Sequence, residues 1–307
     1  MSLLKYTNMF FSALAALMAE KLPVGGQAVI EGVLMKGPGC WALAVRNPDQ
    51  TIWTESWPES DWTKKSFWKY PVIRGFATMV EMMRVGMKAL SISADRSLGE
   101  EENISTLEMV MSVAFAIFAV VAVFLALPMF ISEYVTKYFG LSAFAKNVIE
   151  GVMRGFIFVG YVFVIGLWKD MRRVFEYHGA EHKTINAYEA DAEMIPEEIA
   201  KYSRIHKRCG TSFLLVVVII SIMVFSLIPF NTALMKILSR VVLLPLIVGL
   251  SYEFIKFASK DDNWATVCMK PMLLLQYVTT KNPDCSQIEI ALTALNTALE
   301  CGKKQEN

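Results

Sequence analysis

Hydrophobic positions along this chain gather into long runs separated by polar stretches, and the two longest runs carry no charge. Met109 to Ser132 and Gly210 to Met235 each supply the about 20 apolar residues that a helix needs to cross bilayer hydrocarbon. Val148 to Trp168 and Ile237 to Phe257 are apolar too, but Glu150 and Arg154 interrupt the first and Arg240 and Glu253 the second. These two predict tilted spans with snorkelling ends, or re-entrant helices.

Before the first run the pattern changes twice. Gly25 to Pro58 is rich in Gly, Val, Ile and Trp, with punctuation at Lys36-Gly37-Pro38-Gly39 and Asn47-Pro48-Asp49-Gln50. This predicts short strands joined by tight turns, a sheet of about three strands that needs a helix to cover it. From Pro71 to Ser93, Val72, Phe76, Met79, Met83, Met87 and Leu90 recur at helical spacing, a helix able to cover that sheet or lie on the bilayer. Leu3 to Met18 reads as an interfacial or packed amphipathic helix without a small-residue cleavage site. Residues 99–103 read as a solvated linker, with Ser105 or Thr106 capping the first span. After the last run, Asp261-Asp262-Asn263 marks a polar exit, Met272 to Thr280 a short helix, and Ser286 the cap of a final helix through Leu299. Three regions follow: 1–105 with the small sheet and its helices, 106–257 in the membrane with a polar insertion at 169–210, and 258–307 with the C-terminal helices.

Composition agrees with the runs. Hydrophobic residues make up 54% of the chain and charged ones 19%, and mean hydropathy is +0.41, the balance of a membrane protein. A mainly α fold with about four transmembrane helices is expected, its partner the lipid bilayer. Net charge is +1, and no basic stripe with interleaved aromatics appears, so nucleic-acid binding is not expected. No internal repeat supports a symmetric-repeat transporter.

Charge also orients the spans. The insertion carries Lys169, Arg172, Arg173, Lys183, Lys201, Arg204, Lys207 and Arg208, while the other connections offer Lys137 and Lys146, and little beyond Lys236. The basic bias assigns the insertion and both termini to the cytoplasm. The five cysteines, Cys40, Cys209, Cys268, Cys285 and Cys301, are odd in number and scattered, and in a reducing compartment a disulfide framework is not expected.

That insertion also holds every histidine of the chain: His178, His182 and His206. On a helix from Asp170 to Glu189, His178 and His182 lie one turn apart on one face with Glu181 beside them. A second helix from Pro196 or Glu197 to about Lys207 would bring His206 and Cys209 back to meet them. His178, His182, His206 and Cys209 then form a nitrogen and sulfur ligand set for a divalent metal, zinc above all. Glu181 is placed to act as general base, as the carboxylate does in zinc peptidases. Glu189 and Glu253 are alternative oxygen ligands. The order His178-Gly179-Ala180-Glu181-His182 inverts the zinc-protease signature, but its setting between membrane runs is unlike a soluble peptidase domain.

Four strings together carry a wider likeness: residues 25–38 (GGQAVIEGVLMKGP), Pro71-Val72-Ile73-Arg74-Gly75, Tyr177 to Lys183, and His206 to Phe213, with Thr279 to Asp284 near the end. In these the chain resembles the YqhQ-like family of bacterial inner-membrane proteins, described as predicted metal-dependent enzymes of unestablished function. The resemblance spans nearly the whole chain and implies a multi-spanning architecture in the bacterial inner membrane and a bound metal. Where the family commonly has Pro after the third histidine, this chain has Lys207. The shared strings draw attention to Glu31 and Arg74, expected as a buried pair tying sheet to helix, or as contacts for an anionic substrate. Two functional readings follow. One is a cytoplasm-facing hydrolytic metalloenzyme. The other is a non-catalytic scaffold whose metal, closed by four protein ligands, only fixes helices.

Overall fold

In a computed structural model describing residues 24–98, 106–227, 233–260 and 263–306, the sheet is built on alternation. Leu34, Trp41, Leu43 and Val45 point to one face and Val33, Met35, Ala42 and Ala44 to the other, the period of two that a strand imposes. The strands β1 (Gly25–Val29), β2 (Gly32–Gly37), β3 (Cys40–Arg46) and β4 (Ile52–Pro58) form an antiparallel meander in that order. The sheet thus has four strands rather than three. The extra turn, at Ile30 and Glu31, contains no Gly, Pro or Asn to betray it; Glu31 itself takes the left-handed conformation at φ 50°.

Helix α1 (Ile73–Leu98) covers the first face through Val85 and Ala89. The sheet's other face packs on α4 (Lys169–Glu189) and α8 (Cys285–Glu306), through Tyr177, Ala180, Ile288, Ala291 and Leu295. Both faces of β2 and β3 are therefore buried, which is why these strands are apolar apart from Lys36 and Arg46 near their ends. Asp284, not Ser286, caps α8: its carboxylate accepts from the Gln287 backbone N–H at 2.8 Å, and Gln287 Oε1 accepts from the Asp284 N–H at 3.0 Å. This is a reciprocal capping box.

The apolar runs form the rest. Helix α2 runs Thr106–Val121, passes through a π turn at Ala122–Ala126 and continues as Leu127–Phe139. It is followed by α3 (Ala143–Ile165), α5 (Gly210–Leu227), α6 (Ala233–Ala258) and α7 (Trp264–Leu273). Among the described residues, three stretches are long and apolar enough to cross a membrane: Ala114–Phe139, Ala143–Ile165 and Leu238–Ala258. Most of their surface faces outward, with Phe115, Phe118, Phe156 and Val242 exposed, the arrangement expected of helices solvated by lipid. The apolar stretch of α5, Gly210–Phe225, is shorter. The expected amphipathic helix at Leu3 to Met18, the linker at 99–103 and Ser105 lie outside the described residues.

Helices α2 and α3, α3 and α5, and α5 and α6 pack as neighbours. This brings the end of α3, the start of α5 and the end of α6 together beside α4 and the sheet. One cysteine expectation is corrected here: Cys40 at the start of β3 and Cys301 in α8 form a disulfide, their Cα atoms 6.0 Å apart. They are 261 residues apart in sequence, so only the packing of α8 on the sheet reveals the pairing. Cys209, Cys268 and Cys285 are free.

Candidate metal centre

Helix α4 turns Tyr177, Ala180, Ile185 and Ala187 into the core beneath the sheet. The adjoining face then presents His178, Glu181 and His182 toward Cys209, where the chain turns into α5. Close approach depends on Gly179. A Cβ on it would lie 2.0 Å from the carbonyl oxygen of Lys281, so only glycine lets α4 lie flush on the segment before α8.

His178, His182 and Cys209 each offer a donor atom within 4.8 Å of the others, and Cys209 Sγ stands 3.4 Å from His178 Nε2. Tetrahedral zinc, at about 2.0–2.1 Å from nitrogen and about 2.3 Å from sulfur, separates neighbouring ligands by roughly 3.5 Å. The three side chains therefore fit one ion with small adjustments. Their orientation fits as well. His178 Nδ1 lies 2.9 Å from the Thr279 carbonyl oxygen and His182 Nδ1 2.7 Å from that of Arg204. A carbonyl only accepts, so both Nδ1 atoms carry the proton and both Nε2 lone pairs are left for a ligand, the tautomer that outer partners of metal-binding histidines enforce.

Glu181 completes the pocket. It is 4% exposed, with Gly26 of β1 against its carboxyl carbon, and among the described residues its Oε2 is buried with no hydrogen-bond partner. A buried carboxylate oxygen left unpaired is costly unless a ligand or ion meets it.

His206 stands apart. Its ring centroid is 5.8 Å from that of His182, but its Nε2 is engaged by Glu189 Oε2 at 3.3 Å and its Nδ1 accepts from the Arg208 N–H at 3.3 Å. Glu189 is tied in addition to Arg208. The expected second helix shrinks to one turn, Pro196–Ile199, and the chain beyond it is irregular. Its carbonyls are held instead by α4. Lys183 Nζ donates to Ala200 and Tyr202, and Asn186 Nδ2 to Ser203 and Ile205. Gln276 grips the His206 backbone, accepting from its N–H at 2.9 Å and donating to its carbonyl at 2.8 Å.

The remaining candidates lie elsewhere. Glu31 pairs with Arg173 and accepts from Tyr177 Oη at 3.1 Å, while Arg74 pairs with Glu253 where α1 meets α6. The expected Glu31–Arg74 pair does not form, because Glu31 finds a partner on α4 and Arg74 one on α6. Sequence reasoning missed Lys183, Asn186, Gln276 and the Thr279 and Arg204 carbonyls. Of these, Lys183 and Thr279 lay within strings already singled out.

Charge within the cluster is redistributed. Burial pushes the His178 imidazolium down, but Cys209, Glu181 and the Thr279 carbonyl outweigh it and hold its pKa up at about 9. Burial pushes the Cys209 thiol up, but His178 and His182 hold it well below the ordinary thiol value. Burial raises the Glu181 carboxyl against the pull of both histidines. In the metal-free site these shifts favour an imidazolium–thiolate pair. A raised His178 pKa stabilises fully below about 6.5 and its contribution is lost as pH climbs through about 9. The depressed Cys209 pKa stabilises above about 8.5 and is lost as pH falls through the lowered value. Both terms are present around neutrality. Metal-free protein at pH 7 is therefore expected to show one thiolate by ultraviolet absorbance, absent in Cys209→Ser. An equal signal in both proteins would contradict the pairing.

A family model described as "Protein of unknown function (DUF1385)" matches residues 70–301. The chain is 32% identical over 293 residues to the "Uncharacterized protein YqhQ" of Bacillus subtilis (strain 168), covering 90% of this chain and 92% of that protein. No solved structure matches.

Proposed function

Because the chain belongs to the family of proteins of unknown function DUF1385, its chemistry has to be read from its own residues, and we propose a membrane-bound metal-dependent enzyme, hydrolytic in type. His178, His182 and Cys209 would hold a divalent metal, zinc by the mix of nitrogen and sulfur donors. When bound, such an ion acts as a Lewis acid and lowers the pKa of water to about 7. Glu181, its pKa raised by burial and its Oε2 without a partner among the described residues, would take the proton from an attacking water and return it to the leaving group. The observation that carries the reading is that three donors converge and His206 is otherwise engaged, which leaves a fourth position for water and substrate.

The proposed setting is the bacterial inner membrane, with four crossings and the site and termini on the cytoplasmic side, supported by the basic residues around α4. The Cys40–Cys301 disulfide pulls the other way, toward an oxidising compartment. Cysteine labelling at Lys201→Cys from the cytoplasmic side only is expected; labelling from outside overturns this orientation.

The enzyme reading is tested on purified, metal-loaded protein with chromogenic phosphate esters, carboxylic esters and peptide amides. Turnover of one class is expected, abolished by chelator and lowered by at least about 100-fold in Glu181→Gln, which keeps its metal. Equal turnover in wild type and Glu181→Gln would leave the metal a structural clamp.

A further inference from the structure

The charges that interrupt α3 and α6 meet in space. Glu150 Oε1 accepts from Arg154 Nη2 at 2.9 Å and from Arg240 Nη2 as well. The Glu150 side chain is 5% exposed, that of Arg154 16% and that of Arg240 19%. Arg154 is held from a third helix too, its Nε donating to the Phe124 carbonyl of α2 at 2.9 Å. That carbonyl is available for a chemical reason. Pro128 has no N–H to give to the residue four before it, which is Phe124, and the ladder there widens into the π turn at Ala122–Ala126.

Glu150, Arg154 and Arg240 line a small, open cleft together with Asn147, Gly151, Ile222 and Phe225. Asn147 donates to the Phe225 carbonyl at 2.9 Å and so fixes the end of α5. The cleft lies at the opposite end of α5 from the candidate metal centre, roughly 24 Å along the helix at about 1.5 Å per residue. Among the described residues its lining contains two guanidinium groups and one carboxylate, a net positive charge within helices that face lipid. Such charges are costly there unless paired, and they mark sites that bind or conduct. Guanidinium forks match phosphate and carboxylate oxygens in plane.

We propose that this cleft binds a phosphate-bearing anion through Arg154 and Arg240, with Glu150 as the internal counter-ion that holds both guanidiniums in position. Either a phospholipid headgroup or free phosphate presents the required oxygens.

The test is thermal unfolding of the full chain, purified in neutral detergent, with added phosphatidylglycerol, phosphatidylcholine or inorganic phosphate at matched ionic strength. Dose-dependent stabilisation by phosphatidylglycerol alone identifies the headgroup as source, and stabilisation by inorganic phosphate identifies the free anion; both support the site. Removing a positive charge in Arg240→Gln should raise the half-saturating concentration by at least about tenfold, and removing the counter-ion in Glu150→Gln should lower it. The opposite signs separate binding from mere helix tethering. Should Arg240→Gln fail to fold, Glu150→Gln carries the test. Absence of stabilisation by any additive, stabilisation by phosphatidylcholine equal to that by phosphatidylglycerol, or an unchanged half-saturating concentration in Glu150→Gln, overturns the proposal.

Discussion

Alanine in place of His178, His182 or Cys209 is expected to strip the protein of stoichiometric divalent metal, while His206→Ala leaves it bound. Each of the first three removes a donor from a set in which all donor atoms lie within 4.8 Å of one another. The loss in affinity should exceed the roughly 10- to 100-fold that attends removal of an outer partner. His206, by contrast, gives its Nε2 to Glu189 and its backbone to Gln276. Its replacement loosens the segment before Cys209 without removing a ligand, so affinity should fall by an outer-partner factor at most. Metal content by elemental analysis after dialysis separates the cases. Equal retention in all four variants would remove the basis of the site.

Gly179→Val should be the most damaging substitution at a residue that ligates nothing. The added Cβ would meet the Lys281 carbonyl oxygen at 2.0 Å and Pro283 Cδ at 3.3 Å, and backbone cannot rotate away as a side chain can. Pushing α4 off this segment would also break the Lys281 N–H to Phe175 carbonyl bond at 2.8 Å and shift His178 from the Thr279 carbonyl. The expected cost exceeds the roughly 1–3 kcal/mol usual for overpacking, and metal is lost with it. Gly160→Ala in α3 is the control: nothing lies within 4 Å of a Cβ there, and alanine favours a helix over glycine by about 1 kcal/mol. Thermal unfolding of the two variants side by side checks both signs.

What could be read from sequence followed from signals local in the chain. The apolar runs announced membrane-length helices, and the four-residue spacing of His178 and His182 placed both on one face of α4. Composition and turn punctuation in Gly25 to Pro58 announced strands, but the turn at Glu31 stayed hidden because a glutamate occupies a conformation usually given to Gly or Asn. The tertiary pairings were not legible. Glu150 and Arg240 looked like two separate interruptions of apolar runs, yet they neutralise one another across α3 and α6. Cys40 and Cys301 looked scattered until α8 was laid on β3. His206 was grouped with the other histidines by an expected second helix folding back on α4. The polar side chains of Lys183 and Asn186, which hold the irregular chain before it, and its partner Glu189 set it aside. Pairings of this kind depend on which helix lies beside which, and a single sequence does not state that.

X-ray absorption at the zinc edge of the metal-loaded protein tests the central claim most directly. The account predicts one sulfur at about 2.3 Å, two imidazole nitrogens at about 2.0–2.1 Å and one further light atom, with the sulfur lost in Cys209→Ala. A shell of three imidazoles and one sulfur, closed by His206, or a shell with no sulfur in the wild-type protein, would contradict it.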